Sequence, residues 1–193
     1  MAANETYTPT VKESHAFREI SRDFTKPAEI FREALANALD AYAQNIWLRA
    51  SVEKRRGREV VIIDLADDGI GMTKSGIKSF LNLSDSEKPD LPPNGRIARR
   101  MTGYKGHGTK IYYNSDQLEV VTYNGAADPV YCCVHDPRGS LADDECPLAQ
   151  IQDLTMEELT QRREEWGFSN LGSKAGTTIR ILGYHGNSPL GLE

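Results

Sequence analysis

Apolar and polar positions follow three different rhythms along this chain, and each rhythm predicts an element. After Thr25-Lys26-Pro27, the apolar residues Phe31, Leu35, Ala38, Leu39, Tyr42 and Ile46 recur every three or four positions. That spacing predicts an amphipathic helix reaching Ala43 or a few residues further, with Thr25 as cap and Pro27 in its first turn. Arg58–Ala66 (REVVIIDLA) is almost continuously apolar and predicts a buried strand, closed by Asp67-Asp68-Gly69. Asp116–Asn124 and Pro129–His135 flank Asn124-Gly125 and predict an antiparallel pair. Leu154–Trp166 has the composition of a polar helix, and Gly176–Leu182 that of a last strand. The succession predicts an α+β fold with one mixed sheet and helices on one face.

Composition narrows the class. The chain has 193 residues, 39% hydrophobic and 26% charged, which suits one globular domain and excludes disorder. Its net charge of −5 argues against a nucleic-acid surface over the whole chain. The longest apolar runs, Val60–Ile63 and Val130–Val134, fall far short of the ~20 residues of a membrane helix. Met1–Glu13 lacks a basic-then-apolar signal pattern, and three cysteines make a disulfide framework improbable, so the chain reads as cytosolic. Cys132 and Cys133 are neighbours on a predicted strand and face opposite ways. A zinc site from Cys132, Cys133, His135 and Cys146 lacks any CxxC pair, and buried thiols explain these cysteines better. His15 and His185 carry no signal, and Trp47 and Trp166 read as packing residues.

Charge is uneven. Asn94–Lys110 holds Arg96, Arg99, Arg100, Lys105 and Lys110 with no acid. Asp136–Asn170 holds nine acids against three arginines and reads as solvated surface.

Three clusters carry candidate chemistry. Glu33, Asn37 and Asp40 follow i, i+4, i+7 and align with Gln44 along one side of the predicted helix. Two acids and an amide in a row suit Mg²⁺, which prefers hard oxygen ligands, and a carboxylate beside it suits a general base. Taken alone, an exposed polar face of an amphipathic helix explains the same residues better. Asp67-Asp68-Gly69-Ile70-Gly71-Met72 places an acceptor at a strand end beside glycines that let backbone approach a flat ligand; a plain turn is the simpler alternative. Gly103-Tyr-Lys-Gly106-His-Gly108-Thr-Lys110 exposes backbone N–H groups before a short helix, where phosphate oxygens bind. It fits neither the P-loop nor the dinucleotide spacing.

In order, Glu33-xxx-Asn37-xx-Asp40, Asp67-x-Gly69-x-Gly71, the loop ending Gly106-x-Gly108, and Gly176-Thr177-Thr178-Ile179 resemble the GHKL superfamily. These are the Bergerat-fold ATPases of gyrase B, the heat-shock chaperone, histidine kinases and MutL. The likeness covers about residues 25–182 and looks closest to the MutL and microrchidia branches over Asp67–Ser86 and Gly103–Thr122. It implies a two-layer α/β sandwich with a mixed sheet and a long ATP lid, and ATP or ADP with Mg²⁺ as cofactors. By resemblance, Asn37 coordinates Mg²⁺ and Glu33 orients and deprotonates the attacking water. Asp67 accepts the adenine amino group, with Thr177 supporting it through a water. Gly69, Gly71 and Met72 line the adenine slot. Lys105, Gly106, His107, Gly108, Thr109 and Lys110 hold the phosphates, Asp40 supports, and Asn82 touches the nucleotide at the lid base.

The expected organisation is a 1–24 extension or dimer strap and a 25–183 ATP-binding domain, then a truncated 184–193 tail. The domain would hold a lid at about 73–104 and an acidic insertion at about 136–170. The resemblance implies slow ATP hydrolysis that drives a conformational or dimerisation switch, with an ATP-dependent homodimer. It also implies a further phosphate-contacting lysine from a C-terminal transducer-like domain or partner. The chain ends at Glu193 with no room for one, so a fragment of a longer protein is expected, unless Lys110 substitutes. No membrane partner is expected, and no nucleic-acid face is evident. Two other readings stand beside it. A nucleotide-binding interaction module without turnover has no need of the base Glu33. A histidine-kinase-like domain that transfers phosphate needs a phosphoacceptor helix, and none precedes Thr25.

Overall fold

The computed structural model describes residues 11–22, 28–83 and 108–185. Thr25, Pro27, Lys105, Gly106, His107 and most of the expected lid lie outside them. Two helices come first, α1 (Glu13–Arg22) and α2 (Glu29–Asp40), followed by strands β1 (Ile46–Arg55) and β2 (Arg58–Asp67) and helix α3 (Lys74–Leu81). A 3-10 turn (Gly108–Tyr113) then leads into β3 (Gln117–Tyr123) and β4 (Val130–His135). The chain continues through α4 (Pro137–Ala142), β5 (Ala149–Asp153), α5 (Met156–Glu165) and β6 (Gly176–Leu182).

The six strands form one sheet in the order β1-β2-β6-β3-β4-β5. Every pairing in it is antiparallel, so the expected mixed sheet is corrected to an antiparallel one. The central strand β6 arrives last in the chain and slots between β2 and β3. It pairs Thr177 with both Asp67 and Thr122.

Helices also cover both faces, not one. On the first face, Ile63, Leu65, Leu118, Val120 and Ile181 pack against Ile30 and Ala34 of α2, Ile77 of α3 and Ile111 and Tyr112 of the 3-10 turn. Fully burying an isoleucine contributes about 1.5–3 kcal/mol, and Ile30, Ile77, Ile111 and Ile181 are all 0% exposed. On the second face, Ala66 and Val121 pack against Leu159 of α5 and against Trp166, Phe168 and Leu171 beyond it. Alternation along β2 and β3 makes this arrangement obligatory, since neighbours on a strand point to opposite faces. The same alternation sets the buried Asp64 on the second face. It accepts from Arg49 (Nη2, 2.6 Å) and Arg180 (Nε, 2.7 Å), while those guanidiniums lie over Phe168 and Trp166.

The helix expected to pass Ala43 ends at Asp40, because Tyr42 turns left-handed (φ 59°). The closing bonds run from Ala41 N–H to Asn37 O and from Ala43 N–H to Ala38 O. Gln44 therefore leaves the helical line of Glu33, Asn37 and Asp40, and Ile46 opens β1 instead of extending the apolar stripe. The core-facing stripe of α2 is Ile30, Ala34 and Ala38, while Leu35 and Leu39 are 40% exposed. Strand β1 has no counterpart in the sequence expectation. It joins β2 through Arg56-Gly57, both at positive φ (48° and 82°), the geometry of a two-residue hairpin turn.

Within the expected extension, α1 rests on its own chain. Phe17 meets Tyr113 at 5.8 Å between ring centroids, and Asn114 Nδ2 donates to Ser21 O at 2.6 Å. Lys12, His15 and Arg18 gather on Asp144 beyond α4. The start of the expected lid is α3, capped by Thr73 Oγ1, which accepts from Gly76 N–H. Its Ile77 and Leu81 are in the core. The acidic insertion folds as α4, β5 and α5, and α5 opens with a full capping box between Thr155 and Glu158.

Candidate functional site

The Asp67–Met72 segment is fixed by bonds at both ends. Asp68 accepts from the N–H groups of Gln44 (2.7 Å) and Asn45 (2.8 Å) and from Asn45 Nδ2 (2.8 Å). Burial opposes ionisation of Asp68, but these bonds outweigh it and hold the carboxyl below its ordinary value. Ile70 N–H bonds Ala41 O at 2.9 Å, so the end of α2 and the strand-end loop are locked together. Gly71 takes φ 64°, and a Cβ there would come within 2.0 Å of Tyr123 O, so only glycine fits. Met72 N–H donates to Thr122 Oγ1 at 2.8 Å, and Thr122 Oγ1 lies 3.0 Å from Thr177 Oγ1. Asp67, Gly69, Gly71, Met72 and Thr177 therefore form one connected unit.

Asp67 Oδ1 accepts Gly69 N–H at 2.8 Å. Burial pushes its carboxyl up to about 6, and the charge of Asp68 adds to the shift. The N–H groups of Gly69 and Thr177 and the charge of Arg163 act the other way.

Glu33 and Asn37 face the same region from α2. Gly108, which opens the 3-10 turn, lies so close that a Cβ on it would sit 1.8 Å from Glu33 Oε2. Glu33 is 17% exposed and pairs with Arg32 Nη2 at 2.8 Å. Asn37 Nδ2 and the Tyr112 hydroxyl are buried without hydrogen-bond partners. Burial pushes the Tyr112 phenol above its ordinary range; Asn37 beside it opposes the shift, and the charges of Glu33 and Asp67 add to it. Tyr112 thus lies within electrostatic reach of both halves of the expected site. Asp40, half-buried, is the last residue of α2.

Of the remaining expected residues, Thr109 and Lys110 belong to the 3-10 turn and bond to the end of α3. Thr109 Oγ1 donates to Phe80 O at 3.0 Å. Lys110 is 1% exposed, and its ammonium donates to Phe80 O and to Thr109 Oγ1, each at 2.7 Å. Asn82, exposed, caps the end of α3. The cysteine cluster does not assemble: Cys132 and Cys133 face opposite sides of β4, and Cys146 is exposed. Among the described residues, no three His, Cys, Asp or Glu side chains gather as a metal site.

Thr122, Tyr112, Asn45 and Arg163 escaped the sequence reading. For Thr122 a signal existed, a lone hydroxyl in an apolar strand run, but only strand register pairs it with Thr177.

Residues 25–134 match the family model described as histidine kinase-, DNA gyrase B-, and HSP90-like ATPase. The match ends inside β4, ahead of α4, β5, α5 and β6. No curated protein matches the chain.

Proposed function

The chain belongs to the histidine kinase-, DNA gyrase B-, and HSP90-like ATPases, a family that binds ATP. On that premise we propose that it binds Mg·ATP where α2, the end of β2 and the 3-10 turn meet, and hydrolyses it slowly. The observation that carries this reading is the bond from Ile70 N–H to Ala41 O at 2.9 Å, which ties the loop after Asp67 to the end of the helix that bears Glu33 and Asn37. The charges of Glu33 and Asp67 both act on the buried Tyr112 phenol, in keeping with one shared region.

Asp67 accepts the exocyclic amine of adenine, and the Met72–Thr122–Thr177 bonds hold the walls of that slot. Gly69 and Gly71 keep the slot free of side chains. Glu33 holds the attacking water and takes its proton, and Gly108, having no side chain, lets the start of the 3-10 turn come close to that carboxylate. Lys110 ties the 3-10 turn to α3 and lends its charge to the phosphates; Asp40 and Asn82 support the two ends of the site.

Mg²⁺ suits the Asn37 amide oxygen and the Glu33 carboxylate, hard oxygen donors one turn apart on α2. When bound, the ion neutralises charge on the phosphates. The same proposal includes an ATP-dependent switch or homodimer, and a transducer-like domain or partner supplying a further lysine. The resemblance to the gyrase, chaperone and MutL branches favours the further lysine, and the resemblance to the superfamily favours dimerisation on ATP.

Glu33→Ala tests the chemistry. Steady-state ATP hydrolysis is expected to fall by about 100-fold or more, with Mg·ADP affinity kept within about twofold. Equal turnover in the variant refutes the assigned base. A wild-type chain that binds but never turns over supports the interaction-module reading instead.

A further inference from the structure

Arg163 heads the fully buried side chains by volume, and the ATP-binding reading gives it no task. A guanidinium enters an interior only where hydrogen bonds replace its lost water. Here Nη1 donates to Gly172 O (3.0 Å) and Lys174 O (2.7 Å), and Nη2 to Gly176 O (3.0 Å). Two of these acceptors lie in the turn between α5 and β6, and Gly176 is the first residue of β6. Nε has no partner, so the arrangement is kept despite an unmet donor.

The place where this turn ends gives the arrangement its meaning. Gly176 takes φ 141°, and a Cβ there would come within 2.2 Å of Asp67 O, so the two backbones cross in contact. Gly176 O also accepts the Thr122 hydroxyl at 3.3 Å. Thr177, the next residue, bonds Thr122 through its own hydroxyl, and its N–H favours the Asp67 carboxylate. The fork of Arg163 thus holds a segment that meets Asp67 at Gly176 and leads directly into Thr177.

We propose that Arg163, delivered by the acidic insertion, is a positioning residue for the purine base, acting on Asp67 and Thr177 through the 172–176 turn. The inference rests on the reading of Asp67 as the acceptor of the adenine amine. Helix α5 lies beyond the residues that match the family. Base recognition in this chain accordingly depends on its insertion, and a partner that shifts α5 changes nucleotide affinity. The charge of Arg163 acts in the same sense, favouring the ionised form of Asp67.

The test compares ADP and GDP binding, with Mg²⁺, to the full chain and to Arg163→Lys, which keeps the charge but loses the planar fork. Arg163→Gln, with a smaller amide donor, is carried beside it. Expected are an approximately tenfold loss of ADP affinity, the worth of a hydrogen bond to a charged group, and a fall in the ADP-to-GDP preference towards unity. The double variant Asp67→Asn/Arg163→Lys is expected to bind ADP no more weakly than Asp67→Asn alone, because both changes act on one contact. A lower melting temperature with unchanged ADP-to-GDP preference would make Arg163 purely structural and overturn the proposal. Additive losses in the double variant, or unfolding of both single variants, would overturn it as well. A wild-type chain that binds neither nucleotide removes the adenine reading itself, and this inference with it.

Discussion

A carboxyl set among backbone N–H groups at a strand end faces two opposed demands, and Asp67 answers both. Burial favours its neutral form and raises its pKa from 3.8 to about 6, while a base amine binds best to the ionised form. In the apo protein the raised value stabilises the fold below the unfolded pKa, and that contribution is lost as pH rises through 6. Near neutral pH the charged group therefore costs up to about 3 kcal/mol, at about 1.36 kcal/mol per pKa unit. Asp67→Asn is expected to raise the apo melting temperature at pH 7.5 while weakening adenine binding. Below pH 4 the stability gain should disappear. A calorimetric scan of both proteins across pH 3.5–8 checks the first expectation. Nucleotide titrations across pH 5–8 check the second: wild-type affinity, referred to the Asn variant, falls as pH drops through 6. A variant that is less stable at pH 7.5 contradicts the burial argument. Tyr112 and Thr122 show why residue roles outran the sequence: the surroundings of each, α2 for Tyr112 and β6 for Thr122, arise only through tertiary contact.

Elements were legible where one rhythm dominated. The apolar run of β2, the hairpin of β3 and β4, and β6 from Gly176 to Leu182 all stand close to where the pattern put them. The edge strand β1 was not legible, because IWLRASVEKR exposes most of its residues and its turn uses Arg56-Gly57 in place of Asn-Gly. The length of α2 was misread because apolar Tyr42 and Ile46 continued the helical spacing past a left-handed stop. The site segment depends on a stop of the same kind. At Gly71, alanine would meet a positive φ, costing ~1–2 kcal/mol, and the Tyr123 carbonyl, costing ~1–3 kcal/mol more. Gly71→Ala is expected to lower stability by about 3 kcal/mol, read as a shift of the urea midpoint with unchanged slope. A shift below about 1 kcal/mol would mean that the loop relaxes, and that the close approach to Tyr123 is not a constraint on the slot.

At the scale of the molecule, the antiparallel sheet carries the two ends of the site on separate layers. Asp67 and Thr177 come from neighbouring strands, and Glu33 and Asn37 from the helix laid across them. The family match over residues 25–134 and the order of the glycine and acid clusters point to one family, which is why the family was readable before the fold was. What composition alone could not convey is the second layer. The acidic insertion reads as solvated surface in sequence, yet α5 buries Leu159 and Arg163 against the back of the sheet. No described helix is long and apolar enough to cross a membrane. The central claim is that this junction is a nucleotide site. Calorimetric titration of the full chain with Mg·ADP and with a non-hydrolysable ATP analogue tests it most directly. Micromolar binding of Mg·ADP, about −8 kcal/mol, is the predicted result. Absence of heat with both ligands, from a chain that melts cooperatively, would contradict the account.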